Sequence, residues 1–235
     1  MRLFRIHLDP RSRQARRDLA DPYQMHATLC RVFFPADTPC PAGALLWRLE
    51  PETDREGRPR ILIQSRATPD WSRLATPDWL AHADPGIDLT QRLGLNTLEA
   101  GHSFRFRLRA NPCKTVAGKR LGLLQPEAQR AWLQRKAAHH GFALPEPASL
   151  DYFDFTRTGA DRQYQDFRIT QNQMLRGRQH NGNSIRIYSA LFEGRLTVTD
   201  PARFNAAVES GIGHGKAMGL GLLSIVPCHS QHPGI

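Results

Sequence analysis

Twice along this chain, about a hundred residues apart, three apolar side chains alternate with basic ones. Phe4, Ile6 and Leu8 surround Arg5 and His7, and Phe104, Phe106 and Leu108 interleave with Arg105, Arg107 and Arg109. A period of two is that of a strand with one face in a core, and the segments after each strand narrow the fold further. After the first, a basic loop (Arg11, Arg13, Arg16, Arg17) leads to Asp21-Pro22, an N-cap residue followed by a proline at the first helical position. Met25, Leu29, Val32 and Phe33 then recur at helical spacing. Leu45 to Leu49 and Arg60 to Gln64 flank the polar turn Asp54-Arg55-Glu56-Gly57 and form a hairpin. Strand, helix, strand, strand is the opening of a β-α-β-β-α-β unit. The stretch from Thr68 to Glu99, rich in Pro, Asp and Trp, shows little periodicity and reads as a loop, a short helix and an interdomain linker.

The second half repeats the order of elements without repeating the residues. After the turn Asn111-Pro112-Cys113-Lys114 comes a helix from Pro126 to His140, with Arg135, Lys136, His139 and His140 near its C-terminus before Gly141, where the helix dipole favours cations. Ser184 to Phe192 and Arg195 to Thr199 are expected to pair across Glu193-Gly194. Asp200-Pro201 opens a helix that stops at Gly211, and Leu222 to Val226 supplies the last strand. The expected class is α+β, with two tandem ferredoxin-like (RRM-like) β-α-β-β-α-β domains at residues 1–95 and 96–228 and a polar tail at 229–235.

Lys and Arg number 32 against 22 Asp and Glu, a formal charge of +10. Such an excess pulls on phosphate polymers, so the expected partner is anionic. The longest apolar stretch, Ala217 to Pro227, is broken by glycines and falls far short of the ~20 residues a membrane helix needs. The N-terminus has no apolar signal core, so a cytoplasmic location without a membrane partner is expected. Cys30, Cys40, Cys113 and Cys228 lie far apart with no C-x-x-C pair, which disfavours a disulfide framework or a zinc knuckle. There is no H-E-x-x-H, no His/Cys cluster at ligand spacing and no clear acidic pair. No metal and no other cofactor is expected, and nuclease chemistry here would be metal-free.

The most unusual stretch is Gly211-Ile-Gly213-His214-Gly215-Lys216-Ala-Met-Gly219-Leu-Gly221. It matches neither the Walker A spacing nor G-x-G-x-x-G. Glycines at alternating positions allow backbone N–H groups to approach a phosphodiester, with His214 and Lys216 as further donors. On the first helix Tyr23 and His26 share a face, and an imidazole with a pKa near ~6.5 can take or give a proton at neutral pH without a metal. The Arg105, Arg107 and Arg109 face has no intervening acid and reads as a nucleic-acid platform. From Asp151 to Asn183, Arg157, Arg162, Arg168, Arg176 and Arg178 interleave with Tyr152, Phe153, Phe155, Tyr164 and Phe167, a mixture that can pair with phosphates and stack on bases.

Three stretches together resemble the CasE (Cse-type) repeat-processing endoribonucleases of type I-E CRISPR systems. They are Asp21-Pro-Tyr-Gln-Met-His26, Phe104-Arg-Phe-Arg-Leu-Arg-Ala-Asn-Pro-Cys-Lys114, and Leu191-Phe-Glu-Gly-Arg-Leu196 with Gly211 to Pro227. Trp132-Leu-Gln-Arg-Lys136 also matches, and the similarity runs in order along nearly the whole chain. The resemblance implies a protein that binds the stem-loop of CRISPR repeat RNA, cuts at the 3′ base of the stem without metal, and stays on the mature guide beside the other Cascade subunits. It puts the family's catalytic histidine on His26, its tyrosine on Tyr23 and its loop lysine on Lys114. RNA contacts fall on Arg31, on Arg105, Arg107 and Arg109, on Arg176 and Arg178, and on Gly213, His214, Gly215 and Lys216. Where family members often carry a second basic residue after the histidine, this chain has Ala27. His26 serves as general base or general acid in this reading, and the sequence leaves both roles open. The alternative is a non-cleaving RNA-hairpin-binding protein with tandem RRM-like domains.

Overall fold

The computed structural model describes residues 1–35, 38, 40–145, 167–179 and 182–228. The first half runs β1 (Arg2–Leu8), α1 (Arg13–Ala20), α2 (Pro22–Phe33), β2 (Leu45–Leu49), β3 (Arg60–Ser65), two single 3-10 turns (Trp71–Arg73 and Pro77–Trp79) and β4 (Leu80–Ala83). Its sheet has the order β2-β3-β1-β4, with every one of these pairs antiparallel, and β5 (Ile87–Asp88) adds to β1 before the short α3 (Leu89–Arg92). The second half runs β6 (Ser103–Ala110), a separate hairpin of β7 (Cys113–Val116) and β8 (Lys119–Gly122), α4 (Pro126–His139), β9 (Phe142–Ala143), β10 (Phe167–Arg178), β11 (Ser184–Val198), α5 (Pro201–Ser210) and β12 (Leu223–Pro227). Its sheet order is β10-β11-β6-β12. Counting along the chain only the four strands in each of these two orders, the second, third, first and fourth lie side by side, the ferredoxin-like arrangement, so the fold is two such domains in tandem. In the first domain the second helix has shrunk to the pair of 3-10 turns.

Each domain has its own core. Phe4, Ile6, Leu8, Met25, Leu29, Val32, Trp47, Ile61 and Ile63 fill one, and Phe104, Phe106, Leu108, Trp132, Leu133, Phe192 and Phe204 belong to the other. The apolar halves of the two period-two patterns therefore face inward. The start of α2 is set as its sequence dictates: the Asp21 carboxylate accepts from the amides of Tyr23 and Gln24, and Pro22 occupies the first turn.

Four local expectations need correction. The basic stretch after β1 is not a loop but α1, started by Ser12, whose hydroxyl accepts from the Ala15 amide. Asp18 anchors α1 because its buried carboxylate accepts from Thr28 Oγ1 at 2.7 Å and from Trp79 Nε1 at 3.0 Å. The stretch read as a linker holds β4, the edge strand of the first sheet. The turn around Lys114 is instead strand β7, one arm of the β7–β8 hairpin. Finally, no turn occurs at Glu193-Gly194. β11 runs straight through it, because Glu193 is clasped by Arg107 at 2.7 Å and Arg168 at 2.8 Å while Gly194 is in register with Phe106 on one side and Phe167 on the other. Arg157, Arg162, Tyr152, Phe153, Phe155 and Tyr164 lie outside the described residues, as does the tail from His229. Among the described residues no helix is long and apolar enough to cross a membrane.

The polar faces of the two sheets meet between the domains. Arg48 of β2, only 1% exposed, donates to the carbonyls of Arg107 at 3.0 Å and Leu222 at 3.1 Å, to Ser224 Oγ at 2.9 Å, and to Glu50 at 2.6 Å. Gln64 of β3 donates to the Val208 carbonyl at 2.7 Å. These bonds hold the first domain against the second and fix what lies at the seam.

Candidate active site and nucleic-acid interface

At one end of the seam α2 packs against the glycine-rich loop that comes after α5. The loop needs its glycines for packing as much as for approach. Gly219 has φ +73°, and a Cβ there would sit 2.9 Å from the Trp47 ring. Gly213 has φ +84° and would press a Cβ to 3.4 Å from Trp132, so L side chains are strained at both. The amides of Gly211, Ile212, Met218, Gly219, Leu220 and Gly221 are engaged in hydrogen bonds to backbone carbonyls, including Gly221 N–H to Arg109 O at 2.8 Å. The stretch of the loop whose amides make no such bond among the described residues is therefore narrower than the run of glycines implies: it is the segment Gly213 to Ala217.

That segment and α2 line a cleft of about 340 Å³ with His26, Gly43 and Leu45. His26 lies half-buried in its wall, and burial pushes its imidazole below the ordinary histidine value. A neutral ring at physiological pH can accept a proton. Its Nδ1 is fully buried and has no hydrogen-bond partner among the described residues, while Cys30 Sγ, one turn along α2, lies 3.5 Å from Nε2. Lys216 Nζ reaches to 4.0 Å from where a Cβ on Gly43 would stand, across the cleft.

The surroundings are strongly positive. His214 is lowered by burial and then by the charges of Arg120, Lys136 and Lys216, and His140 by burial, His139, Lys136 and Lys216. Arg120 comes from the β7–β8 hairpin and Lys136 from α4, so separate elements converge there. From sequence, Lys136 stands out as a helix-terminal charge and as the end of the family-like stretch from Trp132, and Arg120 not at all. The signal available for Arg120 is the tripeptide Gly118-Lys119-Arg120, a basic hairpin tip. Among the residues expected to act, Tyr23 and Arg31 lie on the His26 helix, Arg31 exposed in its last turn. Lys114 is exposed on β7, on the hairpin that carries Arg120. Arg176 and Arg178 are exposed at the end of β10, which docks on the start of α2: Arg178 N–H donates to Asp21 at 3.1 Å and Gln24 Nε2 donates to Arg178 O at 3.4 Å.

The arginine platform is corrected. Arg107 is held by Glu50 at 2.6 Å, Glu52 at 2.9 Å and Glu193 at 2.7 Å. Burial works against its charge, but the three carboxylates outweigh it and raise its pKa. Arg109 is buried and donates to Gln171. Arg107 belongs to the seam between the sheets, because the acids that neutralise it come from the residues just after β2 and from β11, whereas the bond from Arg109 stays within the second sheet. Of the three, Arg105 alone is exposed. The expectation of no His/Cys cluster is corrected as well: His26, Cys30 and Cys40 bring their donor atoms within 4.8 Å of one another.

The family model described as CRISPR associated protein matches residues 1–227. The chain is 39% identical over 231 residues to the CRISPR-associated endoribonuclease Cse3 of Thermus thermophilus, covering 97% of this chain and 100% of that protein. It is 30% identical over 223 residues to the CRISPR system Cascade subunit CasE of Escherichia coli K12, covering 88% and 92%. Among solved structures, Thermus thermophilus Cse3 bound to an RNA representing a pre-cleavage complex superposes with a TM-score of 0.75 at 38% identity, over 96% of this chain and 98% of that one.

Proposed function

This chain belongs to the CRISPR-associated protein family, in its Cse3/CasE branch, and from that membership we propose that it is an endoribonuclease that processes precursor CRISPR RNA and serves as a Cascade subunit. It cuts at the 3′ base of the repeat stem-loop, needs no metal for the chemical step, and remains on the mature guide in the cytoplasm. The first domain, residues 1–95, supplies proton transfer, and the second, residues 96–228, supplies most of the grip on RNA. One observation carries the reading: a histidine kept neutral by burial opens onto a cleft whose opposite wall is the Gly213 to Ala217 segment with Lys216.

The 2′-hydroxyl beside the scissile phosphate attacks phosphorus, and the bond to the 5′-oxygen breaks. The products are a 2′,3′-cyclic phosphate and a 5′-hydroxyl. His26, neutral before the reaction, accepts the proton of the 2′-hydroxyl; its conjugate acid can then return a proton to the leaving oxygen. Tyr23, one turn earlier on α2, orients the nucleophile. Lys216 sits across the cleft where charge accumulates on the phosphorane, with Arg31 and Lys114 as the further cations of this role. His214, Arg120, Lys136, Arg176 and Arg178 hold the flanking phosphates.

Cleavage of a labelled repeat hairpin in EDTA, beside the same RNA with a single 2′-deoxy substitution at the cut site, tests the chemistry. The all-RNA hairpin is expected to be cut and the substituted one to be bound but left intact. Cutting of the substituted RNA would refute attack by the 2′-hydroxyl, and tight binding with no cutting of either would favour the non-cleaving hairpin binder.

Lys216→Ala is expected to weaken hairpin binding and to lower the slope of log K against log salt by about 0.7–0.9, the release of counterions from one phosphate contact. Titration at several salt concentrations reads this directly, and an unchanged slope would remove Lys216 from the phosphate contacts.

A further inference from the structure

We propose that His26, Cys30 and Cys40 form a binding site for a thiophilic divalent cation such as Zn2+, and that filling it ties up the imidazole and turns RNA cleavage off. The site rests on geometry alone; the inhibitory consequence rests on the reading of His26 as the group that moves the proton.

His26 and Cys30 stand four apart on α2 and present their donors on one face, with Cys30 Sγ 3.5 Å from His26 Nε2. Ligands of a tetrahedral zinc at about 2.3 Å for sulfur and about 2.0–2.1 Å for nitrogen stand roughly 3.6 Å apart, so this pair already has the edge length of the polyhedron. Cys40 approaches from the segment before β2, and all three donors lie within 4.8 Å of one another. With 4.8 Å as the upper bound, a side-chain rotation moving the Cys40 sulfur by at most about 1 Å reaches the ~3.8 Å of a sulfur–sulfur edge. Binding expels the protons of both thiols to solvent and leaves a two-thiolate, one-imidazole set with a fourth position open.

The donor set also selects the metal. Two sulfurs and an imidazole suit zinc, cobalt or cadmium and discriminate against magnesium and calcium, the hard cations that accompany RNA. The site is thus compatible with a reaction that needs no metal: magnesium leaves it alone, whereas a soft cation takes the His26 lone pair needed for proton transfer.

The test uses the full chain, reduced and stripped of metal. Titration with Co2+ is expected to produce thiolate-to-cobalt charge-transfer absorption and tetrahedral d–d bands that saturate at one equivalent and are displaced by Zn2+. The Cys30→Ser/Cys40→Ser variant, which keeps Cys113 and Cys228, is expected to lose them. In parallel, Zn2+ at the saturating concentration is expected to slow hairpin cleavage at least about tenfold, toward the ~10²–10⁴ that one acid–base group supplies. A chelator restores the rate, and the double variant, compared with its own metal-free rate, resists. Bands that persist in the double variant, or no bands at all, overturn the site. Bands without inhibition, in a protein whose cleavage is shown to require His26, overturn the switch. Cleavage indifferent to His26→Ala would instead strike the proposed catalytic role, while the cobalt spectrum of the parent protein would still report the site, so the two failures are distinguishable.

Discussion

His26→Ala is expected to slow single-turnover cleavage of the repeat hairpin by about 10²–10⁴-fold while leaving hairpin affinity within a few-fold of the parent. The size reflects the group that is removed. Of the two imidazoles in the cleft wall that burial lowers, His26 and His214, the first is the more deeply buried, and no carboxylate lines that cleft among the described residues to take its place. Binding survives because the cations around the cleft, Lys216, Arg120 and Lys136 among them, are untouched. The measurement is cleavage at saturating protein alongside an equilibrium binding titration. A variant that loses both together would show that His26 shapes the fold or the RNA contact rather than transferring a proton, and a variant that cuts at the parental rate would remove it from the mechanism.

Arg48→Ala is the second large effect, and it concerns stability. Arg48 is 1% exposed and donates to Glu50, Ser224 and two backbone carbonyls of the second domain. Truncation leaves those acceptors facing a cavity at the seam. Removing one partner of a buried ion pair costs ~3–5 kcal/mol, and about 3 kcal/mol is expected here because Glu50 keeps its second partner, Arg107, at 2.6 Å. Denaturant unfolding with an unchanged m-value and a lowered midpoint checks it. A loss below about 1 kcal/mol would mean that the seam does not depend on this residue. Because the seam sets α2 against the glycine loop, surviving folded protein should also cleave more slowly.

Much of the fold was legible because its signals are short-range. The alternation in β1 and β6, the Asp-Pro starts of α2 and α5, and the Met25, Leu29, Val32 and Phe33 stripe each lie within a few turns of chain, and all of those residues are where periodicity puts them. The misreadings share a different cause. Glu193-Gly194 is a turn dipeptide locally, yet three strands pass it in register, and cross-strand partners override local preference. The stretch holding α1 is so rich in arginine that its helical character depends on Ser12 as a cap and on a buried Asp18 whose acceptors are used by Thr28 and Trp79 from elsewhere in the chain. The basic face of β6 looked unopposed because Glu50, Glu52 and Glu193 are distant in sequence.

The site divides along the same line. By itself the sequence determined the helix that carries Tyr23 and His26, the glycine loop and its lysine, and the family they belong to, since each is written in contiguous residues. Only the tertiary structure decided which loop amides are left without a backbone partner, that Arg107 joins the domains and Arg109 is buried instead of the two offering a platform, that Arg120 and Lys136 converge on His214, and that Cys30 and Cys40 stand beside His26. Those are pairings between segments that meet only once the chain has folded, and an interaction falling off within a few ångströms leaves no trace in the spacing of residues along the chain.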